Sequence, residues 1–435
     1  MNDGSIDGVS RRGLLGGMAA SLLLGPLGAG RVLARSRGED SLVVDAGNIS
    51  GRCHPRFSRV RDEFVRNFTD RGEVGASVTV IIDGETVVDL WGGIARTDTD
   101  APWEADTVTN VWSCTKGATA LCAHILAARG ALDLDAPVVE YWPEFGQQGK
   151  DTITVAMLLS HQAGLPAVRT PLPPDALFDW DLMVQSLAAE APFWEPGTRN
   201  GYHALTFGFL VGEVVRRVSG RSLGTFFRDE VATPLGLDFW IGLPEDQEPR
   251  VSRLTQAAPI SLPEGVDVES LPQEVREMAE AFLDPDSLSM RALSITDPPI
   301  DWNAPSTHRA EVPAANGICT ARALAQMYAA TIGDIEGVRL LAPETVMAAT
   351  ETQSEGRDRI LLFPTRFGLG FMLNSAFSPL LGPRSFGHAG AGGSLGFADP
   401  DAGVGFGYVM NQMQQNLAGD PRTIGLIAAV RECLG

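Results

Sequence analysis

The sequence predicts an α+β fold, in which strands from both ends of the chain share one sheet and a mostly helical lobe lies between them. Residues 75–95 alternate around an Asp83-Gly84 turn, a pattern typical of a β-hairpin. Residues 367–411 contain short strand-like runs separated by Gly, Asp and Pro turns. The intervening segment, about residues 125–360, reads as helices and loops. We therefore expect a cleft between the sheet and the helical lobe.

The helices are predicted from apolar residues that recur every three to four positions. They span residues 55–70, 110–129, 153–161, 206–218, 321–331 and 422–432. Gly130, Gly164 and Gly220 follow three of them, as expected where a helix ends. Residues 240–312 combine prolines and acids with weak periodicity, which predicts long loops with helical pieces and a candidate lid.

The late strands are short and closely spaced. They are predicted over residues 367–373, 384–390, 393–398 and 404–411. The clearest turn between them is at residues 399–403, where Asp, Pro and Gly are combined. Together with the early hairpin, these strands are sufficient for one sheet.

The composition excludes several classes of function. The chain has 435 residues, and 44% hydrophobic with 20% charged residues is ordinary for a globular protein. A net charge of −20 argues against nucleic acid and anionic membranes as partners. The five cysteines and six histidines lack metal-ligand spacing, so no metal and no cofactor is predicted. The cysteines allow a Cys53–Cys433 bridge, for which the sequence offers no support. The oligomeric state is not predicted.

The N-terminus resembles an export signal. Arg11 and Arg12 precede an uncharged, Gly-rich stretch that is too interrupted to form a good membrane-spanning helix. We expect residues 1–34 to be a twin-arginine signal peptide and residues 35–435 to form a single exported domain, periplasmic or extracellular and not inserted in the membrane. The alternative is a leader that stays in the cytoplasm.

The first chemical motif is Ser113-x-x-Lys116 at the start of a predicted helix. Residues three apart share a helix face, so the two side chains are expected to lie side by side. Serine needs a base to become a nucleophile, and a buried, neutral lysine is such a base. The alternative is a helix-capping serine with a solvated lysine. Since Lys150 is the only other lysine, and arginine cannot act as a base, chemistry at Lys116 is favoured.

Two further motifs contribute candidate groups. Tyr202 precedes a predicted helix and is suited to relay a proton; alternatively it packs in the core with a satisfied hydroxyl. His388 begins a run of small residues on a late strand, where Gly390 lets a substrate approach and the Ala391 N–H can donate to an oxyanion. The alternative there is a Gly-rich bulge with an incidental histidine.

In this order, the three motifs resemble those of the serine β-lactamase and penicillin-binding-protein superfamily, over about residues 55–430, and within it the class-C-like family VIII carboxylesterases. The resemblance implies a β-lactamase-like fold with an antiparallel sheet. It also implies Ser113 as the acylated nucleophile, and Lys116 and Tyr202 as general base and proton relay. His388 would take the place of the lysine in Lys-Thr-Gly, and the N–H groups of Ser113 and Ala391 would form the oxyanion hole.

Two departures from the β-lactamase pattern bear on the substrate. Ala204 stands where those enzymes have an asparagine that holds the lactam amide, and His388 replaces a fixed cation by a group only partly charged at neutral pH. Both changes favour neutral esters over lactams. We therefore expect an acyl-enzyme carboxylesterase acting on short-chain, small-molecule esters. The alternatives are a β-lactamase or D-alanyl-D-alanine carboxypeptidase, and a non-catalytic binding or sensing module with this fold.

One motif is judged misleading. Ser394 lies in a Gly-x-Ser-x-Gly sequence, the pattern of the α/β-hydrolase nucleophile. That fold requires a histidine later in the chain, and none follows Ser394. We expect Ser394 to pack at a strand turn.

Overall fold

Strands from the two ends of the chain meet in one antiparallel sheet. The computed structural model describes residues 42–45, 48–170, 172–257, 272–297 and 299–435, which lie within one compact unit, residues 40–435. The signal predicted for residues 1–34 lies outside the described residues.

Ten strands follow the order β1-β2-β4-β3-β14-β13-β12-β11-β10-β9, and β5 pairs with β4. The strands of this sheet are β1 Leu42–Asp45, β2 Ile49–Cys53, β3 Gly75–Ile82, β4 Glu85–Arg96, β5 Ala101–Pro102, β9 Ser354–Arg357, β10 Pro364–Phe367, β11 Met372–Leu373, β12 Phe386–Ala389, β13 Leu395–Asp399 and β14 Val404–Met410.

A three-stranded sheet, ordered β6-β8-β7, lies apart from the large one. Its strands are β6 Thr109–Asn110, β7 Phe239–Ile241 and β8 Gly317–Cys319. The helices of the described residues are α1 Ser58–Asp70, α2 Thr115–Ala128, α3 Val155–Leu159, α4 Trp180–Ala189, α5 Thr206–Ser219, α6 Leu223–Phe227, α7 Thr233–Leu235, α8 Gln273–Leu283, α9 Leu288–Leu293, α10 Pro305–Arg309, α11 Ala321–Ile332, α12 Pro343–Ala349 and α13 Pro421–Leu434. None of these helices is long and apolar enough to cross a bilayer.

The junction between the two ends is the pairing of β3 with β14, in which Val80 lies opposite Phe406. Both strands are buried almost throughout, as expected for the centre of a sheet covered on both faces. Helices α1 and α13 pack together on one face, and α11 packs on β14, β13 and β3 from the other. A Cβ at Gly407 would lie 2.2 Å from the Ala321 carbonyl oxygen, so glycine at 407 lets α11 approach the strand closely.

The predicted fold class, the early hairpin and five of the six helices are confirmed, four of them with ends displaced by at most three residues. The helix predicted over residues 110–129 begins only at Thr115, because Thr109–Asn110 is strand β6 and Trp112 has a left-handed φ of +49°. The remaining helix, predicted over residues 153–161, is shorter: α3 ends at Leu159. There the Ser160 hydroxyl donates to the Ala156 carbonyl at 2.7 Å, and His161 adopts a left-handed φ of +61° that turns the chain out of the helix. Local hydrogen bonding therefore overrides the apolar periodicity.

A second correction concerns the strand predicted over residues 367–373. It is a reverse turn between β10 and β11, in which Gly370 has φ +88° and the Gly368 N–H donates to the Phe371 carbonyl at 2.9 Å. In addition, the segment predicted as helices and loops, 125–360, contains three strands, β7, β8 and β9. All five cysteines are free thiols, so Cys53 and Cys433 form no bridge.

Candidate active site

Ser113 lies in a sharp turn between β6 and α2. Trp112, immediately before it, has φ +49°, a left-handed conformation that costs energy for a bulky residue. The Asn110 side chain holds this turn by accepting the Trp112 N–H at 2.8 Å. On the other side, the Cys114 thiol donates to the His388 carbonyl at 3.1 Å. The strained turn thus holds Ser113 between the helical lobe and strand β12.

Lys116 is on the first turn of α2, and its side chain is completely buried. Its Nζ lies 3.0 Å from Ser113 Oγ, 2.7 Å from the Ala204 carbonyl oxygen and 2.9 Å from the Ala314 carbonyl oxygen. Burial lowers the pKa of Lys116 well below its ordinary value, because the charged form loses its hydration. A neutral amine donates two N–H groups to the carbonyls and directs its lone pair at the Ser113 hydroxyl. This arrangement is that of a general base.

The Tyr202 ring packs against the same amine, whose Nζ lies 4.7 Å from the ring centroid. Burial raises the pKa of the Tyr202 phenol, and a hydrogen bond with Ser113 only partly opposes this shift. The phenol therefore stays protonated at neutral pH. Its geometry is consistent with a proton relay between Ser113 and a leaving group, and not with a resting phenolate base.

Asp358 is a site residue that the sequence reasoning missed. Its buried carboxylate accepts N–H groups through Oδ1 from Tyr202 at 3.0 Å, Ile360 at 2.8 Å and Leu361 at 2.9 Å. Burial raises the pKa of this carboxyl group, and the N–H donors oppose the shift. Asp358 therefore ties the Tyr202 loop to residues 359–361. A single aspartate between strands carries no local signal that would have identified it.

The structure contradicts the prediction that His388 is partly charged at neutral pH and helps to hold the substrate. Burial and the nearby Lys116 lower the pKa of His388 to about 3, so the imidazole is neutral at physiological pH. Its Nδ1 lies 2.7 Å from the Ala389 carbonyl oxygen, which requires the proton to be on Nδ1. The ring packs behind Tyr202, with centroids 6.1 Å apart, and does not line the cavity at Ser113. His388 thus supports Tyr202 and supplies no cation.

Two buried histidines extend this support. His161 Nδ1 accepts the His203 N–H at 3.1 Å, and the His161 ring lies 4.9 Å from the Tyr202 ring. Burial lowers the pKa of both imidazoles, that of His203 to about 3. The wall behind Tyr202 is therefore aromatic and uncharged.

Gly390 and Ala391 follow β12 and lie against the turn before Ser113. A Cβ at Gly390 would be 2.2 Å from the Val111 carbonyl oxygen, so only glycine permits this approach. Within the described residues, the N–H groups of Ser113 and Ala391 donate to no protein acceptor. Both residues line the same cavity. Two unengaged N–H groups beside a serine hydroxyl match the requirement of an oxyanion hole.

The cavity at Ser113 has a volume of about 70 Å³ and mainly apolar walls. None of its lining side chains carries a charge at neutral pH. The cavity is lined by Trp112, Ser113, Tyr202, Ala204, Leu205, Leu293, Ala315, Leu361, Met372, Ala391 and Leu417. The absence of charge from these walls suits an uncharged acyl group.

Ser394 is confirmed as a packed residue. Its side chain is buried outside this cavity, and its hydroxyl contacts no base among the described residues. The Ser394 carbonyl accepts the Gly390 N–H at 2.7 Å, so the residue closes a turn.

The fold and these juxtaposed groups define the class of serine hydrolases. The sequence model of the Beta-lactamase family matches residues 61–429, and the chain belongs to that family. It is 39% identical to the esterase/beta-lactamase LipL of Mycobacterium tuberculosis, over 85% of this chain and 84% of that protein.

Two solved structures are similar over nearly the same length. A family VIII carboxylesterase is 40% identical with a TM-score of 0.78, covering 88% of this chain and 99% of its own. A penicillin-binding-protein homologue from Caulobacter crescentus is 39% identical with a TM-score of 0.78, covering 89% of this chain and 100% of its own. The resemblance inferred from the motifs is confirmed.

The Asp358 contacts generate a prediction about how Tyr202 is held. All three backbone N–H groups donate to the same oxygen, Asp358 Oδ1. Because Asp358→Asn retains one such acceptor oxygen, this variant should keep kcat for an ester within about threefold. Asp358→Ala leaves the N–H groups unpaired and should lower kcat at least about tenfold by displacing Tyr202. Steady-state kinetics with melting curves for both variants test this. Equal losses in the two folded variants would show that the charge matters, and not the acceptor.

Proposed function

We propose that this protein is a carboxylesterase that forms an acyl-enzyme on Ser113. Lys116 takes the proton of the Ser113 hydroxyl while Oγ attacks the ester carbonyl carbon. The N–H groups of Ser113 and Ala391 stabilise the oxyanion of the tetrahedral intermediate. When the C–O bond breaks, Tyr202 donates its phenolic proton to the departing alkoxide and takes the proton that Lys116 holds, so the amine is neutral again for deacylation. A water molecule then hydrolyses the acyl-enzyme by the reverse proton path, which releases the carboxylic acid and regenerates Ser113 and Lys116.

The uncharged cavity is the observation that carries the choice of substrate. β-Lactam antibiotics present a carboxylate, which a site built for them pairs with a cation. Here His388 is neutral and behind Tyr202, and the Ala204 side chain provides a methyl group where an amide would hold the lactam. A neutral, short-chain ester requires neither partner. The similarity to a family VIII carboxylesterase and to an esterase/beta-lactamase supports the same choice.

The buried amine of Lys116 argues against the alternative of a non-catalytic binding or sensing module. Burying an amine costs desolvation free energy, and an apolar side chain would fill the same space without that cost. Lys116 instead contacts Ser113 and two carbonyls, which is the geometry that turnover requires.

Turnover of an ester tests the assignment of Ser113 as the nucleophile. Purified protein should cleave a short-chain p-nitrophenyl ester, and Ser113→Ala should reduce kcat at least about a thousandfold because the nucleophile is lost. A chromogenic cephalosporin assayed in parallel should be turned over far more slowly than the ester. Ser394→Ala is the matched control and should leave ester turnover unchanged. Cephalosporin turnover rivalling the ester would favour a β-lactamase, and ester cleavage surviving in Ser113→Ala would refute the assignment of the nucleophile.

The pH dependence of acylation tests the assignment of Lys116 as the base. The active form of Lys116 is the neutral amine, so acylation of Ser113 is fastest above the Lys116 pKa and is lost as the pH falls through it. Since burial places this pKa well below the ordinary lysine value, the rate should remain high at neutral pH. Rates of Ser113 labelling by a fluorophosphonate from about pH 5 to about pH 10 give the profile. A rate that is low at neutral pH and still rises about tenfold per pH unit at about pH 10 would place the inflection near the ordinary lysine pKa and contradict a desolvated base.

We also propose that residues 1–34 direct export by the twin-arginine route, a proposal supported by Arg11 and Arg12 before an uncharged stretch. In a bacterial host, Arg11→Lys with Arg12→Lys should retain the full-length chain in the cytoplasm. The native chain should appear in the periplasm or medium with a new N-terminus near Arg35. Arg31→Lys serves as the control. Equal distribution of the native and double-variant chains would refute this route.

A further inference from the structure

The loop of residues 390–393 presents one N–H group to the cavity. Three of its four N–H groups donate to backbone carbonyls: Gly390 to Ser394 at 2.7 Å, Gly392 to Asn416 at 3.0 Å and Gly393 to Gly390 at 3.2 Å. The exception within the described residues is the N–H of Ala391, which lines the cavity with Ser113. The position of this N–H therefore depends on what holds the loop from behind.

Arg422, near the start of α13, lies directly behind the loop, and its side chain is fully buried. Its Nη2 donates to the Gly392 carbonyl at 2.5 Å, and its Nη1 donates to the Gln412 carbonyl at 2.9 Å. The Gly392 carbonyl also accepts the Gln414 N–H at 3.0 Å. The guanidinium thus joins the loop to the chain segment that follows β14.

Two carboxylates hold the guanidinium in place. Asp420 accepts Nε at 3.0 Å and Nη2 at 2.8 Å, and both oxygens of Glu73 lie 3.1 Å from Nη1. With the two backbone carbonyls, these contacts occupy all five donors that a guanidinium carries. The Tyr408 hydroxyl donates to Glu73, and the Asn416 side chain donates to Asp420 at 2.8 Å. The orientation of Arg422 is therefore fully determined.

The loop and the guanidinium are fitted to each other. Gly393 has φ +135°, and a Cβ there would lie 2.3 Å from Arg422 Nη2. Any larger residue would both strain the backbone and push the guanidinium away. An apolar cluster would stabilise the fold at least as well as buried ions, whose desolvation is costly. Unlike an apolar cluster, the ion network provides a directional hydrogen bond from Arg422 to the Gly392 carbonyl.

We propose that Arg422, held by Glu73 and Asp420, is a positioning residue that orients the Ala391 N–H toward the oxyanion. The proposal rests on the ester-hydrolase function proposed above and extends it by a residue that never touches the substrate. Because Arg422 acts through the loop, it should affect the transition state more than the bound ester. The expected signature is a loss of kcat with little change in KM.

The test compares Arg422→Lys with Arg431→Lys. Arg431 is on the same helix and also donates to backbone carbonyls, those of Leu380 and Leu381, but it does not contact the loop. Arg422→Lys should lower kcat for the p-nitrophenyl ester about ten- to a hundredfold, somewhat less than deletion of an oxyanion donor, with KM within about twofold. Arg431→Lys should match the native protein. An Arg422→Lys variant that folds and keeps native kcat, or that changes only KM, would overturn the proposal.

Two further measurements keep the proposal testable. The affinity for a trifluoromethyl ketone, whose hemiketal oxygen needs the same N–H groups, should fall in parallel with kcat. If Arg422→Lys does not fold, Glu73→Gln replaces it, because the neutral amide removes the negative charge that holds Nη1 and leaves it one acceptor oxygen where there were two; native kcat in this variant would count against the proposal. Absence of ester turnover by the native protein would instead refute the proposed function. In that case the rate of Ser113 phosphonylation by a fluorophosphonate, native against Arg422→Lys, still decides whether Arg422 orients the hole.

Discussion

The burial of one amine is the constraint on which the site depends. Among the residues that the structure describes, no carboxylate contacts Lys116, and its Nζ contacts Ser113 Oγ and two carbonyls, those of Ala204 and Ala314. A charged ammonium in this place would lack both hydration and a counter-ion, so the neutral form is preferred. The two carbonyls come from separate parts of the helical lobe. Correct folding of that lobe is therefore what converts an ordinary lysine into a base.

The large sheet supplies the other half of the site. Strand β12 brings the Ala391 N–H to the turn that carries Ser113, and β14 continues into the segment on which Arg422 is anchored. Neutral groups surround the nucleophile, whereas the charges of Arg422, Glu73 and Asp420 are kept behind the loop. This separation gives the oxyanion donor a rigid support without placing a cation in the cavity. It suits chemistry on an uncharged acyl group.

The sequence reasoning succeeded where a residue acts through its own chemistry and close neighbours. Ser113 and Lys116 are three positions apart, and this spacing brings their side chains together even though α2 begins only at Thr115 and Ser113 lies in the turn before it. It was less successful with contacts between distant segments. The helix predicted over residues 153–161 was wrong at its end, because the Ser160 hydroxyl and the left-handed His161 turn the chain. Asp358 was missed because its role is defined by the N–H groups of Tyr202 and of residues 360 and 361.

By itself, the sequence determined the α+β class, the family resemblance, and the identity and order of Ser113, Lys116 and Tyr202. These follow from local periodicity and from residue types whose chemistry is intrinsic. Only the tertiary structure decided the ionisation states: the neutral amine of Lys116, the protonated phenol of Tyr202 and the neutral imidazole of His388. The physical reason is that a pKa is set by desolvation and by neighbouring charges, and both depend on which distant segments surround the group.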